Sequence, residues 1–535
     1  MKIIRNLVAG IAIASAVACP LNSRADINNP ITKAVLKVYE DQIRENPQDY
    51  VAYFSRANEY FQHDELVRAL DDLNNALKYI PEKETGLRYE CLIRRADIYN
   101  QTNRPTQALE DLSECVRLSP ESFIAIFKKA DTEYALGKYA EAKVDYNRLI
   151  RLNGRNPEIF IGLAKVAVKE NNLGTANELL DQAVSLDPNN AETYVSRASV
   201  RKLMGDHNGA VDDLLLAVST DTKKTNAYEE IVEYGKVNYP ATMAGLSKAI
   251  ADAPQTGMFR YLRAMIAQAH YNYLAAISDY DYIIEHRLYD YHGIYASLAE
   301  CQLALGRFDA ALSNIDYALG MVRDNCGYYV LRSKILRALG RNDQAVQAAS
   351  NALVFDRNSS AALEEMAMCE VERKDYEKAL EFLGEASLND SESPESYMLR
   401  AWISEKFLNR PDAARQLYTQ VSEMDHFYID NVRSLKGFAL LFLGDKEGAE
   451  RWMNNILASV DDYDGMINYY GACFFAQYGD NDRAIRCVEN ALEKGYANYF
   501  NWTDLKDGRI NVAPLRDDLR FLNLLSRYSA IFGRN

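Results

Sequence analysis

The chain has 535 residues, 48% of them hydrophobic, and a formal net charge of −15. So acidic a surface argues against nucleic acid, whose binders draw affinity from cationic contacts to phosphate, and against adhesion to anionic lipid. The composition also excludes a low-complexity or disordered chain.

The first 25 residues stand apart. Lys2 and Arg5 precede an apolar run, Leu7 to Ala18, that is short for a bilayer span. Ser23-Arg24-Ala25 puts small residues where a signal peptidase reads, so residues 1–25 read as a signal peptide cleaved before Asp26. Its removal deletes Lys2, Arg5 and Arg24 and no acid, leaving −18. The second reading is a lipoprotein signal acylated at Cys19, although Ala16 stands where Leu is usual and Pro20 follows the cysteine. Either way export is expected: periplasmic first, with an outer-membrane lipoprotein or a secreted protein as alternatives. No later stretch is apolar enough to cross a membrane, so Cys19 is the one expected attachment.

Residues 26–48 form an N-terminal cap. Within them, 31–46 read as an amphipathic helix with Ala34, Val35, Val38, Tyr39 and Ile43 facing inward. An alanine ladder follows, over about residues 49–498: Ala69, Ala108, Ala142, Ala176, Ala210, Ala276, Ala311, Ala345, Ala379, Ala413, Ala449 and Ala484. Most steps are 34 to 36 residues, the period of stacked helical hairpins. A second small residue precedes most rungs by 12 positions, as at Ala57, Ala96, Ala130, Ala198, Ala264 and Ala401, with Ser333 and Gly437 in the same slot. Paired small residues let two helix backbones approach closely. Gly137, Gly205, Gly306, Gly340, Gly444 and Gly479 fall in the turns, where a left-handed residue ends the first helix. Residues 223–256 are degenerate: Glu230 and Thr242 occupy the small positions and Pro240 the turn.

This layout resembles the tetratricopeptide repeat. The first repeat shows Ala57, Tyr60, Ala69, Leu73, Ala76 and Pro81 in the family's frame; the eighth shows Ala299, Gly306, Phe308, Ala311 and Ala318. The resemblance implies an all-α, right-handed superhelix (an α-solenoid) of about twelve or thirteen hairpins with capping helices. Residues 499–535 resemble the closing segment of bacterial arrays, through Leu515, Arg516, Asp518, Phe521, Leu524 and Leu525.

Eight cysteines make no dense disulfide framework, and none is spaced C-x-x-C. Cys91 with Cys115, and Cys473 with Cys487, occupy facing repeat positions; export would permit them to bridge, and buried thiols are the other reading. No phosphate loop, H-E-x-x-H or G-x-S-x-G is present, the histidines are scattered, and no cofactor, metal or catalysis is expected. Acidic pairs such as Asp71-Asp72 and Asp212-Asp213 read as exposed charges.

The resemblance implies instead a groove lined by first helices. Carried over by repeat position, its early part holds Phe54, Asn58, Asp97, Asn100, Asp131, Tyr134, Lys165, Lys169 and Lys202. The middle gives Tyr261, Met265, Lys334 and Arg337, and the late part Trp402, Phe438, Leu441, Phe442, Tyr469 and Tyr470. The mixed charge of the early part does not match the clamp that chaperone-binding relatives use for a C-terminal carboxylate. The expected function is a non-catalytic scaffold in the bacterial cell envelope, holding a segment of one or more envelope proteins or peptides. The first alternative is a glycan-binding or lipid-anchored envelope component, prompted by the tyrosines between Tyr271 and Tyr295. A chaperone, or a subunit of an enzyme complex, is the remote one.

Overall fold

A computed structural model describes residues 27, 29–220, 225–390, 393–424, 433–460, 462–503 and 510–533. The expected signal peptide and Cys19 lie outside the described residues. Helix follows helix, and the described residues contain no strand. After the cap helix Pro30–Glu45, helices alternate in consecutive pairs, from Tyr50–Gln62 with Leu66–Tyr79 to Met466–Tyr478 with Asn481–Glu493.

Local chemistry sets the ends of these helices. Asp49 accepts from the backbone N–H groups of Val51 and Ala52 at 3.1 and 3.0 Å, and Asn190, Asn325, Asp445 and Asp480 cap their helices in the same way. Pro105, Pro157, Pro394 and Pro411 open helices, where proline's missing N–H costs nothing. Every turn glycine named above has positive φ. Asp64, Asn103, Asn171, Tyr271, Lys374 and Asn409 take the same backbone shape in the remaining turns.

The small residues meet where the helices cross. Ala57 with Ala69, Ala96 with Ala108, and Ala264 with Ala276 are fully buried. One rung is displaced. In the pair Pro394–Lys406 and Pro411–Glu423 the buried residue is Ala414, not the expected Ala413. The turn there is one residue longer: Arg410 N–H donates to Ser404 O, six positions back, whereas Asp375 N–H, like its counterparts elsewhere, donates five back, to Glu370 O.

The cap helix turns only part of the expected face inward: Val35, Tyr39 and Ile43 are half-buried. Thr32 and Leu36 are buried, with Thr32 Oγ1 3.4 Å from His63 Nε2, while Ala34 and Val38 are exposed.

The chain divides into two compact units, one ending at Ile231 and the other beginning at Val232. The division falls inside the degenerate repeat. There Thr242 is fully buried in the small slot, and Glu230 pairs with Lys202 at 3.0 Å.

In the N-terminal unit each hairpin packs on its sequence neighbours. The C-terminal unit closes on itself. One hydrophobic core joins residues 261–305 to residues 398–532. Helix His292–Ala304 packs on the short helix Tyr499–Thr503, and Tyr273–Glu285 packs on the final turn Ser529–Phe532. The closing segment supplies Trp502, Leu515, Phe521 and Phe532, each at most 1% exposed.

Candidate functional site

Buried ion pairs brace the hairpins from within. Arg56 grips Asp72 with two bonds of 2.7 and 2.8 Å, and Arg95–Asp111, Arg197–Asp213 and Arg263–Asp279 repeat that fork 16 residues apart. Lys129–Asp145 holds the same place at 2.6 Å. The aspartates are at most 8% exposed, which corrects the reading of Asp72 and Asp213 as surface charges. The signal was available: a cation on the first helix, and an acid 16 residues later beside the ladder. A paired charge at this depth needs its partner in good geometry, so these residues serve the fold and are not free to bind.

The aromatic groove expected in the late repeats is largely filled. Phe438 is fully buried, its ring 5.6 Å from Phe474 and 6.3 Å from Phe442. Tyr469 is covered by the closing segment, stacked on Tyr496 at 5.0 Å and edge-on to Trp502 at 5.0 Å. Tyr261 is enclosed by Tyr280, Tyr289 and Tyr291, and burial holds its hydroxyl above the usual range. These three are core residues. Trp402 is half-buried with its edge on Phe407, and Arg337 makes two bonds to Glu365, at 3.0 and 3.2 Å. Lys334 and Phe442 are exposed, the Phe442 ring lying 5.2 Å from that of Tyr418. Within the tyrosine run, Tyr273 and Tyr280 lie in the core, and Tyr271, Tyr282, Tyr289, Tyr291 and Tyr295 are half-buried.

The cysteines follow the same pattern. Cys91, Cys115, Cys473 and Cys487 are buried free thiols, the second of the two readings, and neither possible bridge is present. Burial pushes Cys91, Cys115 and Cys473 up to about 12 and Cys487 up to about 11.

The first-helix face of the N-terminal unit remains accessible. Arg94 Nε donates to Asn58 Oδ1 at 3.2 Å, and its guanidinium lies 4.6 Å from the centre of the Phe61 ring. Lys128 Nζ reaches Asp97 at 2.6 Å, and Asn100 donates to Thr132 at 3.0 Å. Asn100, Asp131, Lys165 and Lys169 are exposed along this line. A cleft of about 540 Å³ opens at its start, lined by Asn58, Phe61, Gln62, Asp64, Arg94 and Gln101. These contacts run from one hairpin to the next. Such a surface can hold an extended segment by polar contacts. Among the described residues no three His, Cys, Asp or Glu side chains are grouped to hold a metal ion, and no helix is long and apolar enough to cross a membrane.

Paired helices, registered small residues and an exposed first-helix face define a helical-repeat solenoid. Models of the tetratricopeptide repeat match residues 89–122, 133–196, 293–313 and 336–403. The chain is a tetratricopeptide repeat protein. A segment is 28% identical to cellulose synthase operon protein C of Pseudomonas fluorescens, over 23% of this chain and 9% of that protein. Tetratricopeptide repeat protein 36 is 34% identical in Mus musculus, over 16% of this chain and 39% of that protein, and 35% identical in Bos taurus, over 19% and 55%. The chain thus spans between 9% and 55% of the length of these relatives. Among solved structures, yeast Tom70 aligns at 16% identity over 76% of this chain and 98% of its own, with a TM-score of 0.35. YrrB, a TPR protein with an unusual peptide-binding site, aligns at 17% identity over 36% of this chain and 98% of its own, with a TM-score of 0.30.

Proposed function

We propose that this protein is a non-catalytic scaffold of the bacterial cell envelope, and that it holds an extended segment of an envelope protein on the first-helix face between residues 50 and 204. The repeat supports the interaction role, since proteins of this family bind partner proteins or peptides in general. The observation that carries the choice of face is the exposed polar line from Asn58 to Lys169, in contrast to the filled aromatic interior of the C-terminal unit. The leader pattern of residues 1–25 supports export.

The test is crosslinking with mass spectrometry in the native envelope, comparing wild type with the Lys165→Glu, Lys169→Glu double variant. Both residues are exposed, so the variant leaves the hairpins intact. One or a few proteins should crosslink to wild type and be lost from the variant. Equal crosslinking by both would remove this face from the proposal. No enrichment over background from wild type would sink the scaffold reading itself.

A further inference from the structure

The two ends of the C-terminal unit meet in a seam between residues 239–308 and 463–533. The Tyr271 ring is 4.7 Å from that of Tyr496, and its hydroxyl donates to the Met466 sulfur at 2.6 Å. Phe308 meets Phe500 edge-on, and Gly533 lies so close to Leu274 that a Cβ there would stand 2.9 Å from it. Beside these contacts the seam leaves a cavity of about 210 Å³. Tyr239, His270, Asn272 and Leu274 line it from one end of the unit, and Tyr463, Lys494, Ala497 and Ile531 from the other. A dry cavity of about 150 Å³ takes benzene, and drug-sized ligands need about 300 Å³ or more, so this one suits a single ring with a short substituent.

The lining sorts into apolar surface and hydrogen-bond donors. Leu274, Ala497 and Ile531 are apolar, and Tyr239, His270 and Tyr463 bring rings. His270 is fixed: it is 8% exposed, its ring is 4.2 Å from that of Tyr239, and its Nε2 lies 3.0 Å from Gly235 O. Burial keeps it neutral, so that nitrogen donates to the carbonyl and the imidazole adds no charge. Asn272 is spent, its Oδ1 accepting from Ala275 N–H and its Nδ2 donating to Tyr239 Oη, both at 3.3 Å. Tyr239 Oη, as the acceptor of that bond, keeps its own proton to give. Lys494 is exposed, with Nζ 3.3 Å from Asp462. Asp462 also accepts from the backbone N–H groups of Ile467 and Asn468, at 2.9 and 3.2 Å, so Lys494 can turn to a ligand without stranding it. Among the described residues no aspartate or glutamate lines the cavity.

We propose that the seam cavity is a binding site for a small monocarboxylate bearing one ring, with the ring against the tyrosines and apolar side chains and the carboxylate on Lys494 Nζ and Tyr239 Oη. The donor-rich lining sets the choice. A sugar brings hydroxyl hydrogens, and a zwitterionic amino acid an ammonium, for which the lining side chains hold no spare acceptor, and a buried donor left unpaired counts against binding. A carboxylate brings acceptors alone, and its bond to an ammonium is charge-assisted. Each end of the unit supplies part of the lining, so the ligand binds the closed unit and stabilises closure by mass action.

The experiment is calorimetric titration of the full chain with phenylacetate, followed by hydrogen exchange with and without it. Wild type should bind with a Kd of about 1 mM or tighter, as about ten non-hydrogen atoms allow. Acetate, which lacks the ring, and benzyl alcohol, which lacks the charge, should each bind at least about tenfold more weakly. Lys494→Met should weaken phenylacetate roughly ten- to a hundred-fold and leave benzyl alcohol unchanged. Phenylacetate at about ten times its Kd should raise the protection of residues 257–304 and 463–503 about tenfold, while residues 123–186 hold steady. Absence of wild-type binding at about 10 mM overturns the site and needs no variant to do so. A Lys494→Met chain with wild-type affinity for phenylacetate overturns it as well, as does protection that rises in residues 123–186 and not at the seam.

Discussion

Asp213 is fully buried, and its carboxylate is shared by Arg197 and Arg201. Burial raises its pKa against the pull of both arginines, a sign of how much hydration the site has removed. Truncating one partner leaves the other charge buried alone. Asp213→Ala should therefore cost roughly 3–5 kcal/mol in urea unfolding, whereas replacing Arg197 and Asp213 together with leucines should cost far less. If the single and double variants lose the same stability, the pair does not depend on mutual compensation. The thiols make a second prediction at this scale. The seven cysteines from Cys91 to Cys487 are free, and Cys326 alone among them is not fully enclosed. Native alkylation at pH 8 should mark Cys326 first. Denaturation without reductant should then expose all seven, and a shortfall of two labels would reveal a bridge that the structure does not contain.

The helix pair was readable from sequence because its requirements are local and repeated. A small residue must sit where backbones cross, a left-handed residue must end the first helix, and Ala57, Ala69 and Gly137 satisfy this by identity alone. The Arg56–Asp72 brace is equally local, and went unread because its spacing of 16 follows neither the helical nor the strand period. Phe438 and Tyr469 were misplaced for a different reason. Their neighbours Phe474, Tyr496 and Trp502 arrive from later hairpins and the closing segment, and no pattern around position 438 or 469 records that arrival. The displaced rung lies between these cases, since one extra turn residue moves burial from Ala413 to Ala414. Ala414→Leu should overpack the crossing and cost roughly 1–3 kcal/mol, while Ala413→Leu should change stability by under about 0.5 kcal/mol. Thermal melts of the two variants settle the register; the opposite order would restore the regular spacing.

A repeat array ordinarily distributes its stability as a chain of nearest-neighbour terms, so damage at one hairpin fades within a repeat or two. The N-terminal unit has that character, since its hairpins pack on those beside them in sequence. The C-terminal unit does not, because residues 463–533 return to residues 239–308 and share one core with them. Closure converts a linear array into a loop of contacts, and in a loop no hairpin is terminal. Trp502 tests this. It is fully buried against Tyr469 and Tyr496, its indole N–H donates to Tyr496 O at 3.2 Å, and its helix packs on His292–Ala304. Trp502→Ala should cost roughly 3–5 kcal/mol. In a linear array the lost hydrogen-exchange protection would stay within residues 463–533. In a closed unit it must appear in residues 257–304 as well, some 200 positions earlier, while residues 89–186 keep theirs. Loss confined to the last hairpin would mean that the two ends touch without sharing stability. Loss at both ends would show that the closing segment holds the first hairpins of its unit as firmly as the last.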